Sequence, residues 1–377
     1  MLRKLRIVAL LAFAAGATGG LPARALEWRS AHSLTAQANS DSNLHLSAAA
    51  PDNAQYANVS AQADVVARRP GLSFRFAPEV RAVRYAQDAQ EDRSDMFATL
   101  GLGLDDVRRS ASFDANYGRE STLTSEFETS GLRGDVERVQ SGLNAAFSRT
   151  LSATRSLAFT VSSVDTDYGS APVTLYGDYA QQDAQLSHRV ATKHGSWGLV
   201  ASKSFVEASF GAGDSTTTAL SSSWSLRLSP RLQGTFGIGA FVVDSVSAES
   251  EDPSASFNLG LTRQWLRWSL SGSAGRDVRP QSGGAVVVEE AVTLTAQWAA
   301  GERVSVSIHL RGAETSSAVD RFFEYHRTYS SAGAALNWQF ARRLELSASV
   351  SERAEASSLT PRASGLVGVV SLTYRGG

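Results

Sequence analysis

The sequence predicts an all-β chain, a transmembrane antiparallel up-and-down β-barrel of about 18 strands, on three observations. Large apolar and small polar residues alternate with period two along most of the chain. The connections between these segments alternate short and long, and the tryptophans and tyrosines gather at opposite ends of the segments. Composition agrees with a folded chain: of 377 residues, 42% are hydrophobic, 19% are charged and none is cysteine. Those values disfavour disorder, a disulfide scaffold, thiolate metal sites and thiol catalysis.

Residues 1–25 read as an export signal. Arg3, Lys4 and Arg6 form a positive start, Ile7 to Ala17 an apolar stretch, and Ala23-Arg24-Ala25 a small-x-small cleavage site. Gly16, Gly19, Gly20 and Pro22 interrupt the run before it reaches the roughly 20 apolar residues a bilayer helix needs. The mature chain is expected to begin near Leu26 and to form a single barrel over residues 26–377. Loss of Arg3, Lys4, Arg6 and Arg24 with the leader takes the formal charge from −1 to −5. An acidic chain argues against nucleic acid, whose binding rests on basic surface.

Strands follow from the alternation. Leu232, Phe236 and Ile238 oppose Gln233, Thr235 and Gly237; Val304, Val306, Ile308 and Leu310 oppose Ser305, Ser307 and His309. Leu220, Trp224 and Leu226 oppose Ser221, Ser223 and Ser225, and Leu344, Leu346 and Val350 oppose Glu345, Ser347 and Ser349. Each segment has one greasy face and one face of small polar groups, which suits lipid outside and a wet interior. Short turns fall at 68–71, 105–109, 151–155, 191–195, 228–231, 262–266, 299–302 and 341–343, roughly 40 residues apart. Longer polar stretches lie between them, including 87–95, 119–135, 165–176, 245–254, 276–284, 311–327 and 351–364. Eight short turns and nine long loops join an even number of strands and put both termini on one side, with short turns in the periplasm. A soluble double-sheet protein also alternates, but has no need of turn lengths that alternate down the whole chain.

The seven tryptophans, among them Trp28, Trp197, Trp224, Trp268, Trp298 and Trp338, fall near the short-turn ends. Eight of nine tyrosines, including Tyr117 and Tyr329, fall toward the long-loop ends. Amphipathic rings collect at the two membrane interfaces, so both sets are expected to form girdles against the outer-membrane lipid. The last strand carries Leu366, Val370, Leu372 and Tyr374 on its apolar face, and Arg375-Gly376-Gly377 follow the aromatic residue on which such barrels usually end for the assembly machinery.

Period two also assigns a lumen. Arg75, Arg227, Asn258, Arg267, Thr293, Gln297, Arg311, Asn337, Gln339 and Glu345 are the pore-lining candidates, with Gln233, Thr235 and Thr295 among them. A barrel of 16 to 18 strands is wide enough for an aqueous channel unless loops enter it. No chemistry of another kind is visible. The six histidines show no ligand spacing, no Gly-x-Ser-x-Gly elbow occurs, and Gly-Leu-Gly at 101–103 lacks the rest of a nucleotide fingerprint. The expectation is no enzyme, no metal and no cofactor.

Asn116-Tyr117-Gly118-Arg119-Glu120-Ser121-Thr122-Leu123-Thr124-Ser125-Glu126, followed by Thr129-Ser130-Gly131, resembles a segment of the outer-membrane barrels found with PEP-CTERM and exopolysaccharide systems. Ser40-Asp41-Ser42-Asn43-Leu44 and the turns at 151–157 and 228–232 are similar to other parts of that family. The resemblance implies a pore taking part in export of a secreted polysaccharide, joined by a periplasmic polysaccharide-export protein. The residues themselves leave two alternatives: a general small-solute porin, and a plugged structural barrel that retains polysaccharide at the cell surface.

Overall fold

The computed structural model describes residues 26–48, 51–86, 92–122, 136–169, 177–209, 213–245, 253–281, 285–318, 326–358 and 361–376. Eighteen strands follow one another: β1 (Glu27–Asp41), β2 (Ala54–Arg69), β3 (Leu72–Tyr85), β4 (Arg93–Asp105), β5 (Arg109–Ser121) and β6 (Glu137–Ser152). Then come β7 (Arg155–Tyr168), β8 (Tyr179–Thr192), β9 (Gly195–Ala208), β10 (Ser215–Ser229), β11 (Leu232–Ser245) and β12 (Ser254–Gln264). The circuit ends with β13 (Trp268–Pro280), β14 (Val286–Ala299), β15 (Val304–Ser317), β16 (His326–Ala341), β17 (Leu344–Ser357) and β18 (Ala363–Gly376). Each strand pairs antiparallel with its sequence neighbours, and β18 pairs back onto β1 from His32 opposite Gly376 to Asp41 opposite Val367. The sheet is a closed barrel with no free edge, the only sheet that satisfies its backbone hydrogen bonds in lipid.

Directly opposed residues share a face, so the register carries the inside-outside assignment around the whole wall. Trp224 lies opposite Trp197 and Phe236, and Trp268 opposite Trp298. These rings face outward with Leu220, Ile238, Leu261, Val292, Ile308 and Val370, all large apolar side chains left exposed on the outer wall. Such a surface would drive aggregation in water; against lipid it is the face that belongs there.

The apolar band ends where outward charges begin. Trp268 and Arg276 on β13 are eight residues apart, as are Trp298 and Glu290 on β14. Eight residues at ~3.3 Å each, tilted by about 40°, span roughly 20 Å, close to the ~25 Å band of outer-membrane barrels. Arg276 and Glu290 pair at 3.5 Å on this rim, and Arg119 and Glu137 at 2.5 Å. Lys203 and Glu352 face outward two residues deeper than that rim, within reach of the headgroups for side chains that snorkel.

Two expectations need correction. The strands run past the assigned loop boundaries, since residues 165–168, 276–280, 311–317 and 351–357 continue their strands in register. Their polarity reflects walls that rise above the membrane, where the outer face no longer meets lipid. The tyrosine girdle is also largely absent. Among the described residues Tyr117 and Tyr374 face outward, whereas Tyr56, Tyr85, Tyr168, Tyr179 and Tyr329 share faces with lumen residues. Tyr329 is 4% exposed and packs with Leu46 and Ala363 inside the barrel. Position along a strand sets a residue's height; parity sets its face, and these tyrosines have lumen parity. Tyr176 and Tyr325 lie outside the described residues, as do 123–131 of the segment that carried the family resemblance.

Leu220 sits four residues above Trp224, mid-band on the outer wall, and Ser221 points inward beside it. Leu220→Arg is expected to lower unfolding stability in lipid by about 2–4 kcal/mol, the cost of a lipid-facing arginine near the midplane. Ser221→Arg should stay within about 1 kcal/mol, as a wet-side change does. Urea unfolding in vesicles checks both.

Candidate permeation pathway

The lumen is built from the alternate residues that the lipid-facing set leaves over. In the half nearer the short turns these are small: Ser269, Ser271 and Ser273 on β13, Ser305 and Ser307 on β15, Ser347, Ser349 and Ser351 on β17. Glycines make room for the larger polar groups. A Cβ on Gly142 would lie 2.3 Å from Asn116 Oδ1, and one on Gly333 would lie 2.3 Å from His309 Cε1. Neither amide nor imidazole could then lie flat against the wall.

The half nearer the long loops is filled. Charged groups face inward there, and each arginine meets a carboxylate. Arg353 donates to Asp41 at 2.5 Å across the β17–β18–β1 seam. Arg327 and Glu355 pair at 3.2 Å with side chains only 1% and 2% exposed. Arg81 stands 3.2 Å from Glu79 and 3.9 Å from Asp95, which also holds Arg93 at 3.4 Å. Glu289 takes both Arg279 and Arg311. Lower on the wall Arg75 donates to Asp64 at 2.8 Å. Pairing leaves little net field at these sites, whereas Asp114, Asp183, Arg189, Arg227 and Asp277 share the inner face with no ion pair among the described residues.

Two packed clusters lie in the outer half of the barrel. Val206, Phe241, Val243, Val286, Val288 and Ala318 form one, with Tyr179 against it; Val206, Phe241 and Tyr179 bring lumen parity to it, and Val286 and Val288 the outward parity of Glu290 and Trp298. Across the barrel, the segment after β1 folds in over β16–β18. Leu46 is fully buried against Tyr329 and Ala363 in a left-handed conformation, φ 44°. Asn43 Nδ2 donates to the Ser47 and Ser364 carbonyls at 3.0 Å each, tying this segment to β18. His45 Nδ1 and Asp52 Oδ2 lie 2.5 Å apart. Burial opposes ionisation of the Asp52 carboxyl, but hydrogen bonds from the His45 side chain and backbone, with its charge, hold that carboxyl below its ordinary value.

Of the ten pore-lining candidates, the register puts Arg75, Arg227, Asn258, Thr293, Gln297, Arg311, Asn337 and Glu345 on the inner face. Glu345 is engaged by Arg375 at 2.9 Å. Gln339 lies past the irregularity after Trp338 and donates to the Arg342 carbonyl in the turn. Arg267 is misplaced: it is exposed in the 265–267 turn, outside the strands, because strand β12 ends at Gln264 and the alternation stops there. The six strand tryptophans, Trp28, Trp197, Trp224, Trp268, Trp298 and Trp338, face outward near the short turns, as does Tyr117 near the opposite end. Sequence reasoning missed Tyr56, Arg81, Asp95, Arg327, Arg353 and Glu355. The signal was present for the last two, because Arg353 and Glu355 continue the lumen parity of Ser347, Ser349 and Ser351 into a stretch read as loop. Among the described residues no group of three His, Asp or Glu is placed to hold a metal ion.

No protein-family model matches the chain, and no curated protein matches its sequence. Solved structures do match in shape. OccK2 (OpdF) of Pseudomonas aeruginosa, in complex with glucuronate, aligns with a TM-score of 0.52 at 10% identity over 93% of this chain and 98% of its own. OpdK of the same organism aligns at 0.52 and 8% identity, covering 92% and 99%. OccAB3 of Acinetobacter baumannii aligns at 0.51 and 9% identity, covering 93% and 99%. The chain is an outer-membrane β-barrel with the fold of these proteins. At such identities the likeness is one of architecture: a closed barrel in the bacterial outer membrane, near-complete in both chains.

The His45–Asp52 pair makes the inward segment acid-sensitive. Because the folded-state carboxyl is lowered, its contribution is complete above the ordinary aspartate value of about 3.9 and fades as pH falls through the folded value. A fluorophore at Ala48→Cys should keep constant anisotropy from pH 7 to 5 and lose it below pH 4. In Asp52→Asn the probe should be looser at pH 7, with a smaller acid step.

Proposed function

We infer that the protein is a passive channel of the outer membrane for small hydrophilic solutes. The observation that carries this reading is the lumen wall of the short-turn half, a surface rich in serine, threonine, glycine and amide side chains, with the charged Arg75–Asp64, Arg227 and Glu345–Arg375 among them, inside a barrel of 18 strands. Such a wall solvates water and polar solutes. The paired arginines and carboxylates support weak ionic discrimination, since a field needs uncompensated charge. Channels of the same fold, one of them in complex with glucuronate, support a solute role. The chain reaches the membrane, in this reading, by a leader cleaved before Leu26 and by the general assembly machinery that inserts barrels.

Export of an exopolysaccharide is the second reading, favoured by the family resemblance and by a hydroxyl- and amide-rich lumen that suits a polyhydroxylated chain. It requires a periplasmic polysaccharide-export protein on the short-turn face, and it requires the inward segment after β1 to move aside for a polymer. A retaining, plugged barrel needs that segment to stay in place.

Purified protein in planar bilayers distinguishes these. The solute channel predicts steady conductance from the protein alone, with cation and anion permeabilities within about threefold of one another, as a wall carrying charges of both signs implies. A closed barrel alone, together with periplasmic polymer in a deletion strain, would replace this reading with export.

A further inference from the structure

One strip of the lumen wall gathers four side-chain amides, two of which the fold leaves without hydrogen bonds among the described residues. On β2, Gln62, Asn58 and Tyr56 face inward in that order from the short-turn side. On β1, Gln37 lies directly opposite Asn58, and Asn39 directly opposite Tyr56. Gln62 and Tyr56 are six residues apart, about 20 Å along the strand. Gln37 donates to Asn39 Oδ1 at 2.6 Å, and Asn39 donates to the Tyr56 carbonyl at 3.4 Å, which steadies those two amides. The Gln62 and Asn58 side chains make no hydrogen bond among the described residues, and Gln62 is open to the lumen. At the outer end the Tyr56 ring stacks on Tyr85, centroids 5.0 Å apart at 29°.

The chemistry of this strip selects. An amide both donates and accepts, and so does a sugar hydroxyl, whereas a carboxylate only accepts. The cations that border the strip are already engaged: Arg75 by Asp64, Arg353 by Asp41, and Arg93 by Asp95. An anionic solute therefore finds no uncompensated positive group here. An aromatic face at one end offers apolar surface to the C–H face of a pyranose ring. Amide groups spaced along an extended strand fit a linear solute lying parallel to it better than a compact one.

We propose that the inner face of β1 and β2 is a binding track for neutral oligosaccharides, running from Gln62 through Asn58 and Gln37 to Tyr56. The proposal rests on the channel reading and names its solute class. Tyr56 packs against the sugar ring; Asn58 and Gln62 exchange hydrogen bonds with its hydroxyls. Tyr56, Asn58 and Gln62 determine specificity and hold no part of the barrel closed.

Saturation-transfer NMR on the full chain in detergent tests this, with maltotriose and glucuronate as probes. Maltotriose should give saturable transfer, weakened about fivefold or more by Asn58→Ala or Tyr56→Ala, the scale of one lost hydrogen bond or ring contact. Gln185→Ala, on the β8 wall away from the strip, should leave it unchanged, and glucuronate should bind no more tightly than maltotriose. Absence of saturable maltotriose transfer, equal weakening by Gln185→Ala, or tighter glucuronate binding overturns the proposal. Heat-modifiable migration of each variant on gels confirms that the barrel has closed. Conductance without sugar binding would remove the track alone, whereas sugar binding without conductance would remove the channel reading alone.

Discussion

Lipid offers the backbone no hydrogen bonds, so a chain that crosses it as strands must pair its last strand with its first. Here that condition is met at the β18–β1 seam, which joins residues more than 300 positions apart in the sequence. Closure has a second consequence, because it forces every strand to have one lipid side and one lumen side. Parity along the strand then becomes the main determinant of what each residue does. Leu34, Tyr374 and Leu372 meet lipid at the seam, while Thr35 and Thr373, one residue away, share a 3.0 Å hydroxyl contact inside. The 42% hydrophobic content is ordinary for a soluble protein, and only its alternation turns it into a membrane surface.

The same rule explains how much of the molecule was legible in the sequence. Strand number, turn placement and the tryptophan belt were readable, because each depends on local pattern: Ser229-Pro230-Arg231 is a tight turn in any context, and Trp224 inherits its face from Leu220 and Leu226. The tyrosines depart from a girdle because the sequence shows their height along the strand directly, whereas their face follows from parity. Tyr329 has the parity of Asn337 and Ser331, so it packs inside against Leu46. Leu46 itself was beyond reach of pattern. Its burial depends on how the segment after β1 folds over strands from the far end of the chain, through Asn43 and Ser364. Likewise the Asp41–Arg353 pair joins residues that no local window contains.

The lumen divides into two regimes. Near the short turns, small hydroxyl side chains leave room for water. Near the long loops, inward charge pairs and the segment after β1 occupy it. Burying ions is costly unless each finds a partner, and the observed pairs satisfy that demand while holding neighbouring strands in register above the membrane. Arg327 and Glu355 illustrate the point: they link β16 to β17 with side chains almost wholly buried, where solvent no longer screens them. A wall with charges of both signs sorts solutes by shape and hydrogen bonding more than by net charge, and the amide strip on β1 and β2 is one part of it with bonding capacity to spare.

All of this depends on which side of the wall the apolar face meets. The chain has no cysteine, so single cysteines can be placed at successive positions along β10 and β11, from 219 to 226 and from 233 to 240, without background. With the barrel in lipid vesicles, a small hydrophilic maleimide that enters the lumen should label positions such as Ser221, Ser223, Thr235 and Gly237, and leave Leu220, Trp224, Phe236 and Ile238 unlabelled. Even labelling along both strands, or labelling of the Leu220 and Phe236 set instead, would contradict a lipid-facing apolar wall and the water-lined interior built upon it.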